Sequence, residues 1–461
     1  MDIFKSSFQR LREFSAFLLL GTVAALVWAN LDPETYKAIM NDRLIAPEAL
    51  AAMLDAGGFS GLVGQIYEFL AHILVHDPAT PGAIADYQAQ HPDSSPGVFS
   101  FHFFVNDLFM VLFFGIAGKE VSESFLPGGA LSSFKKAAMP AIATAGGVLG
   151  PIAVFFALHA AMGLHPDVAS AAWAVPTATD IAYCWLFAGL IFGRAHPAVT
   201  FLLVLAVLDD LIGMMIIAVY YTPEVHVEWL GLLVLGVVLC EVMRRLGVRN
   251  FWPYVIIGGT LSWFGLHNTG VHAALALVPI VPFMPHAERD AGLFEAATDS
   301  DHHDDTMNRF EHFFAPIVDV GLLTFGLANA GVVLSGESFA GGATWAIFGA
   351  LLLGKTFGIA GFSWMGSKMG LNLPKPMTLP QTLVLGAVAG IGFTVALFVS
   401  TVALGLADAQ GWTYLIENPE VSDMLKLGAL LSFAAGPIAW VMAILMKVEK
   451  IHDDTSVERG H

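Results

Sequence analysis

The feature that most constrains this chain is an apolar run at residues 199–220 that carries two adjacent carboxylates, Asp209 and Asp210, and no other charged residue. A helix of about 20 apolar residues is long enough to cross a lipid bilayer, so both acids lie near the middle of a predicted transmembrane helix. A carboxylate at that depth costs roughly 2.5 to 3.5 kcal/mol on insertion scales. Two of them together indicate a function inside the membrane.

The two acids point in different directions, because successive residues of a helix are rotated by about 100 degrees. We therefore expect one of them to contact a fixed partner and the other to face a polar cavity. The alternative is a purely structural pair, in which buried hydroxyl groups and carbonyl oxygens satisfy both carboxylates.

The composition is that of a polytopic membrane protein. Hydrophobic residues make up 56% of the chain and charged residues only 13%, which lies outside the range of soluble domains. The net charge of −18 argues against nucleic-acid binding, which requires a basic surface. Cys184 and Cys240 lie far apart in sequence, so the chain has neither a disulfide framework nor a cysteine metal motif.

Apolar segments of spanning length predict an all-α membrane protein with about 12 transmembrane helices in a single domain, residues 1–461. The first segment, at 14–29, also has the pattern of a cleaved signal peptide. We favour a retained span, because an even number of spans then places both termini on one side. The later spans are predicted at 99–118, 138–163, 170–192, 199–221, 228–243, 252–266, 269–284, 313–335, 343–366, 380–406 and 424–446.

The basic residues orient these spans. Only Lys37 and Arg43 fall in loops on one side, whereas the other loop lysines and arginines share the side of both termini. The positive-inside rule then predicts that both termini lie in the cytoplasm.

Three segments outside the spans stand out by length or charge. Residues 31–98 are predicted to form a long extracytoplasmic loop with amphipathic helices at 45–54 and 62–75, and residues 447–461 a cytoplasmic tail. Residues 285–311 form an acidic, histidine-bearing cytoplasmic loop. Its His302 and His303 have a pattern that fits either a metal site or a solvated loop, and the second interpretation is the more common for such a run.

Two further charges lie deep within predicted spans. Lys355 is the natural partner of one aspartate, and a single ion pair would leave the other carboxylate able to exchange a proton for a cation. The alternative for Lys355 is that its ammonium reaches the membrane surface. Asp180 follows Pro176 in the fourth span, and the eleventh span carries several glycines. Paired interrupted spans are typical of transport sites. Asp107 and Asp319 also lie within spans, and the sequence assigns neither a partner.

The chain resembles the NhaA-type sodium/proton antiporter family over nearly its whole length, and the resemblance includes the charged residues described above. The matching segments are Asn106-Asp107, Gly118-Lys-Glu-Val121, Ala178-Thr-Asp-Ile-Ala182, Leu208-Asp-Asp-Leu211, Gly270-Val-His-Ala273, Arg309-Phe-Glu-His312, Ala328-Asn-Ala-Gly331, Gly354-Lys355 and Gly390-Ile-Gly-Phe-Thr394. The resemblance implies an inverted-repeat fold in which spans 4 and 11 are broken and cross.

The resemblance also implies roles for the site residues. Asp210 is the expected main ligand for sodium and carrier of protons, and Asp209 is its partner, paired with Lys355 when the cation is absent. Asp180 and Lys355 are expected to balance helix dipoles, and Thr179 to line the site. The implied activity is electrogenic exchange of sodium or lithium for protons, serving pH and sodium homeostasis, with no cofactor and no enzymatic reaction.

Family members are activated by alkaline pH through a cytoplasmic cluster, onto which Glu120, Glu311 and His312 map. This chain departs from the family there, with Lys119 before Glu120, Ser122-Glu123 in place of a basic pair, and Ala315 in place of a second histidine. An alternative role for Glu120 and His312 is to cap helix ends at the membrane surface. The sequence leaves a homodimer open; the other expected partners are lipid, sodium or lithium, and protons.

Two other functions fit a membrane protein with buried aspartates. A sodium-coupled transporter of a small organic anion would need a larger, polar cavity, which the apolar neighbours of the acids do not suggest. An intramembrane aspartyl protease needs its acids on separate helices and a Gly-x-Gly-Asp pattern, which the chain lacks.

Overall fold

A computed structural model describes residues 16–41 and 100–450, except 128, 130, 223–224, 287–304 and 408. Within these ranges the regular structure is helical, which confirms the all-α prediction. The α-helical segments are α1 (Ala16–Leu31), α2 (Pro33–Asn41), α3 (Phe101–Phe125), α4 (Phe134–Met162), α5 (Pro166–Ala172), α6 (Ile181–Phe192), α7 (Pro197–Val219), α8 (Leu230–Arg245), α9 (251–269), α10 (Thr306–Asn329), α11 (Gly336–Ala340), α12 (Gly342–Lys368), α13 (Leu379–Ala389), α14 (Phe393–Gly405), α15 (Thr413–Glu417) and α16 (Glu420–Leu445).

Fewer of the described helices have the length and apolar composition of a membrane span than the sequence predicts. Six of the described helices are long and apolar enough to cross a membrane, and the number rises to eight if each of two bent pairs counts as one span. Helix α1 is apolar but shorter. The chain is thus a polytopic helical membrane protein, and a total of about 12 spans stays a prediction.

The segment predicted as a span at 269–284 is not a continuous helix. It contains two short 3₁₀ turns, Ala273–Leu275 and Val281–Phe283. The physical reason lies in Pro279 and Pro282, because each proline lacks the backbone N–H that an α-helix needs and its ring obstructs the preceding turn. The segment is nevertheless largely buried.

Two of the three predicted non-spanning segments contain helical residues where the structure describes them. Within 31–98, residues Pro33–Asn41 form helix α2. Helix α10 begins at Thr306, inside the loop predicted at 285–311, because the Asp305 carboxylate accepts a hydrogen bond of 2.7 Å from the Asn308 backbone N–H and so caps the helix. The two interfacial helices predicted near residues 50 and 70, His302, His303 and most of the C-terminal tail lie outside the described residues.

Two helices are interrupted where the sequence predicts broken spans. The fourth span consists of α5, a 3₁₀ turn at Val175–Thr177 and then α6, with a bend of 50°. The eleventh consists of α13 and α14, also bent by 50°. Both breaks therefore leave backbone groups without helical partners at the depth of the aspartate pair.

Glycine-lined packing brings α12 against α4. A Cβ atom added at Gly150 would overlap the backbone of Gly354, and one added at Gly358 would overlap that of Gly146. Small residues of this kind let two membrane helices approach closely. The approach fixes the position of the next residue on α12, Lys355, beside the two breaks.

Candidate functional site

Helix α7 carries both aspartates into the protein interior. Asp209 is 2% exposed and Asp210 8% exposed, so neither carboxylate reaches the surface of the protein. Their surroundings differ as expected from the helical rotation. Asp209 faces Lys355 and Thr179, whereas Asp210 faces a cavity.

Lys355 forms the ion pair that the sequence leads us to expect. Its Nζ lies 2.8 Å from Asp209 Oδ2 and donates a second hydrogen bond, of 2.7 Å, to the carbonyl oxygen of Thr177. The Lys355 ammonium also donates a hydrogen bond to Thr179 Oγ1. The side chain is fully buried, which excludes the alternative that its ammonium extends to the membrane surface.

Thr179 connects this ion pair to both interrupted spans. Its hydroxyl lies 2.8 Å from Asp209 Oδ2 and 3.3 Å from the carbonyl oxygen of Ala389, the last residue of α13. Lys355, through Thr177 and Thr179, therefore lies beside the C-terminal ends of the first halves of both broken spans. A cation is favourable there because helix C-termini carry partial negative charge.

Asp180 lies between the N-terminal ends of α6 and α14, the second halves of the two broken spans. Its Oδ1 accepts a hydrogen bond of 3.3 Å from the Tyr183 backbone N–H in α6, and its Oδ2 accepts one of 3.1 Å from the Thr394 backbone N–H in α14. The Thr394 hydroxyl also donates to Oδ2. The Asp180 backbone N–H donates to the carbonyl oxygen of Ile391 at 2.7 Å, so the two breaks contact each other directly. A carboxylate is stabilised at helix N-termini, which carry partial positive charge.

The cavity beside Asp210 is small and acidic, with a volume of about 210 Å³. Its lining includes Asp210, Asp180, Glu120, Asp319 and the hydroxyl-bearing Thr179 and Thr394. We call it the acidic cavity. Among the described residues, Asp209 Oδ1 and Asp210 Oδ1 are buried without a hydrogen-bond partner. An unsatisfied buried carboxylate oxygen is expected to bind a proton, a cation or water.

The acids of this cavity do not converge on one point. Within the part of the chain that the structure describes, no group of three or more His, Cys, Asp or Glu side chains is arranged to hold a metal ion. A loose set of oxygen atoms suits a transported ion, because binding that is too strong prevents release.

A second charged cluster lies beside the acidic cavity, around Lys119, which directly precedes the cavity-lining Glu120. Lys119 on α3 forms ion pairs with Glu123, at 2.6 Å, and with Glu311 on α10, at 2.5 Å. Glu120 lines the acidic cavity instead, and His312 is exposed on α10. The structure thus brings Glu311 to a buried lysine that also pairs with Glu123, while Glu120 faces the acidic cavity.

Sequence reasoning missed two contributors to the site. Thr394 binds Asp180, and Asp319 lines the acidic cavity. The signal for Asp319 was its charge within a span, which the sequence alone could not pair with a partner. Thr394 follows the glycines of the predicted eleventh span, but nothing in the sequence directs it to Asp180.

Comparison with known proteins gives a consistent result over nearly the full chain. A family model described as Na+/H+ antiporter 1 matches residues 82–442. The Na(+)/H(+) antiporter NhaA of Geobacter sulfurreducens is 42% identical over 446 residues, which cover 96% of this chain and 98% of that protein. The Na(+)/H(+) antiporter NhaA 2 of Pelobacter propionicus is 40% identical over 454 residues, covering 97% and 100%. The Na(+)/H(+) antiporter NhaA of Jannaschia sp. is 37% identical over 460 residues, covering 95% and 97%.

Proposed function

The chain belongs to the Na+/H+ antiporter 1 family and exchanges sodium for protons, and we propose that Asp210 is the group that carries both in turn. The observation that supports this assignment is the unsatisfied Asp210 Oδ1 at the acidic cavity. An ion arriving through the cavity meets this oxygen without first breaking an ion pair. Sodium and a proton are then alternative occupants of one carboxylate.

Asp209 acts as the second ligand in this proposal. It has one oxygen atom bound by Lys355 and Thr179 and one without a partner. Sodium bound between the two aspartates would weaken the attraction between Asp209 and Lys355, because the cation and the ammonium compete for the same negative charge. Loss of the cation would restore the ion pair. Exchange of two protons for one sodium or lithium ion would make transport electrogenic.

The interrupted spans support this chemistry electrostatically. We propose that spans 4 and 11 cross near the membrane midplane in an inverted-repeat fold of about 12 spans. Asp180 would then offset the positive N-terminal dipole ends, and Lys355 the negative C-terminal ends. The support is that Lys355 donates to the Thr177 carbonyl oxygen in one broken span, and that Asp180 accepts hydrogen bonds from Tyr183 and Thr394, one in each.

We propose a bacterial inner membrane location with both termini in the cytoplasm. The support is the distribution of basic residues, with only Lys37 and Arg43 on the opposite side. The charged cluster around Lys119 would then lie toward the cytoplasm, where Glu120, Glu311 and His312 could respond to internal pH. The family consists of transporters, and we propose neither an enzymatic reaction nor a resident cofactor. A homodimer stays a prediction.

The acidic cavity argues against the organic-anion alternative. Its volume of about 210 Å³ is below the roughly 300–1,000 Å³ of sites that enclose drug-sized ligands. Several carboxylates line it, so an anion would be repelled. The protease alternative needs two acids that share one substrate, whereas Asp209 is bound to Lys355.

The test is sodium-driven proton movement in proteoliposomes across pH 6 to 9. Asp210→Asn should abolish exchange, because the amide cannot be negatively charged. In the unmodified protein the apparent KM for sodium should rise as the pH falls, since protons compete for the same group. Asp107→Asn is the matched control: this acid also lies within a span but does not line the acidic cavity. Retained sodium-coupled exchange in Asp210→Asn would reject the assignment.

A further inference from the structure

The two aspartates direct their unpaired oxygen atoms to different places. Asp210 lines the acidic cavity, whereas Asp209 Oδ1 faces Gly147 on α4. A Cβ atom added at Gly147 would lie 3.6 Å from Asp209 Oδ1 and 3.3 Å from Ile359 Cγ1 on α12. The free oxygen of Asp209 therefore lies where α4, α7 and α12 meet.

Two buried hydroxyl-bearing residues lie one helical turn from this meeting point. Thr144 precedes Gly147 by three residues on α4, and Ser363 follows Ile359 by four residues on α12. Residues at these spacings are neighbours on a helix surface, with Cβ atoms about 5–6 Å apart. The glycine contacts between α4 and α12 pair rising residue numbers with falling ones, so the helices are antiparallel. Both steps therefore lead toward the same side of the membrane.

The hydroxyl groups of Thr144 and Ser363 are buried without a hydrogen-bond partner among the described residues, as is Asp209 Oδ1. A serine or threonine inside a helix can satisfy its hydroxyl by donating to the carbonyl oxygen four residues earlier. Thr356 and Ser367 on α12 do so, at 2.5 and 2.9 Å, whereas Ser363 between them does not. Buried polar atoms that lack a protein partner are typically bonded to internal water. The three unsatisfied atoms thus mark a buried polar site between α4, α7 and α12.

Ser367 brings this polar site close to the protein surface. It lies one turn beyond Ser363, is exposed, and donates its hydrogen bond to the Ser363 carbonyl oxygen. Its neighbour Lys368 is the last residue of α12 and is also exposed. The basic residues place this end of α12 on the proposed cytoplasmic side. Hydroxyl groups therefore lead from that side to the level of Asp209.

We propose that Thr144 and Ser363 relay protons between Asp209 Oδ1 and the cytoplasm, through water held at their hydroxyl groups, while sodium uses the acidic cavity. We call these two residues the hydroxyl relay. This inference rests on the proposed role of the aspartate pair as the exchanged site. Its physical basis is charge, because a sodium ion that enters a cavity of about 210 Å³ repels a proton that leaves through the same space. A separate route for the proton removes that conflict.

The transfer leaves the hydroxyl relay chemically unchanged. When a protonated Asp209 releases its proton, the O–H bond at Oδ1 breaks and the bonding electrons stay on the carboxylate. Each hydroxyl oxygen accepts a proton from one neighbour and passes its own proton to the next, and water at the cytoplasmic surface receives the last one as hydronium. The negative charge that appears on Asp209 then pairs with the Lys355 ammonium, at the 2.8 Å of this structure.

The competing explanation is that the two hydroxyl groups only pack α4 against α12, as small polar side chains do in membrane proteins. Two transport reactions distinguish the explanations. Sodium-driven proton movement in proteoliposomes needs protons to reach and leave the site. Exchange of radiolabelled for unlabelled sodium, with sodium saturating on both sides, moves the ion through the same site without net proton transfer.

Thr144→Val and Ser363→Ala each remove a hydroxyl group and nearly preserve the side-chain volume. Since one hydrogen bond is worth up to a factor of about 10, each should slow sodium-driven proton movement by about 2- to 10-fold. Sodium–sodium exchange should be unchanged in both. Thr144→Ser, which keeps the hydroxyl group, should retain the proton movement of the unmodified protein. Thr22→Val is the matched control, because this hydroxyl is also buried and unpaired but lies on α1, against Gly326.

Equal slowing of the two reactions would show a packing defect and reject the hydroxyl relay. Proton movement that is unchanged in Thr144→Val and Ser363→Ala, or that Thr22→Val slows equally, would also reject it. Removal of an unpaired buried hydroxyl should not prevent folding, because an unsatisfied polar group is lost. If only one variant folds, that variant decides; if neither folds, the hydroxyl groups are structural and the proposal fails.

The hydroxyl relay and the assignment of Asp210 fail in different ways. Retained exchange in Asp210→Asn would reject the assignment, whatever the relay variants do. The relay variants keep Asp210 and are judged by the ratio of the two reactions. An unchanged ratio rejects the relay and leaves the competition of sodium and protons at Asp210 intact.

Discussion

Removal of the Lys355 ammonium should strongly destabilise the folded protein. Lys355→Met keeps most of the side-chain volume but leaves the Asp209 carboxylate buried with Thr179 as its remaining donor. Breaking a buried ion pair by deleting one partner costs about 3–5 kcal/mol, because the other charge stays uncompensated. The carbonyl oxygen of Thr177 also loses a donor, which adds about 1–3 kcal/mol if no other group replaces it.

The double variant Lys355→Met/Asp209→Leu separates these two contributions. It removes both charges, and apolar replacements of a buried ion pair are often neutral or stabilising. Only the unsatisfied Thr177 carbonyl remains, so the double variant should be more stable than Lys355→Met alone despite carrying an additional substitution. Lys368→Met is the control: this lysine lies in the last turn of the same helix, with its Nζ 5.8 Å from the Trp364 ring centroid, and its loss should cost at most about 1 kcal/mol.

The assay is unfolding of the purified protein in detergent, with the same detergent and protein concentration for all variants. We expect the unmodified protein and Lys368→Met to be the most stable. The double variant should be less stable than these two, and Lys355→Met should be the least stable of all. A Lys355→Met protein as stable as Lys368→Met would refute the electrostatic reasoning. So would a double variant that is no more stable than Lys355→Met.

Three further variants test other parts of the site by the same unfolding measurement. Asp180→Ala should lower the free energy of unfolding by more than the loss of a single helix cap, which costs about 0.5–2 kcal/mol, because the carboxylate accepts hydrogen bonds from both α6 and α14. A loss under about 0.5 kcal/mol would contradict this. Gly150→Leu should destabilise strongly because its side chain would overlap the α12 backbone, whereas Gly361→Leu, which faces open space, should be neutral or mildly stabilising. Lys119→Met should destabilise more than Arg245→Met, whose exposed pair is worth about 0.2–1 kcal/mol; equal effects would show that burial adds nothing there.

The parts of the site that could be predicted from sequence are those set by intrinsic physical constraints. Two acids and a lysine at membrane depth must be neutralised, which limits their partners to a few residues in the whole chain. The break near Asp180 is signalled in the same way by Pro176, because proline lacks a backbone N–H and favours interruption of a helix. These constraints act locally or through very few candidates, and so they are visible without a structure.

The remainder depends on how helices that are distant in sequence pack together. Lys119 lies near the end of a span and has acids nearby in sequence, but its bond to Glu311 exists only because α3 and α10 are neighbours. Thr394 has no sequence signal that aims it at Asp180. The segment at 269–284 shows the opposite error, since its apolar composition predicted a helix although Pro279 and Pro282 remove two backbone donors that a helix would use.

The proposed function depends on the contrast between the two aspartates. If both carboxylates were paired like Asp209, the site would be electrostatically satisfied and a sodium ion would gain little by entering. If both were unpaired like Asp210, their mutual repulsion at membrane depth would keep at least one of them protonated and hinder sodium binding. Lys355 resolves this conflict by fixing one charge while leaving a carboxylate oxygen on each aspartate unsatisfied. In the proposed mechanism, the lysine that is expected to stabilise the fold also keeps the binding of sodium and of protons in close competition, which is the condition for exchanging one for the other.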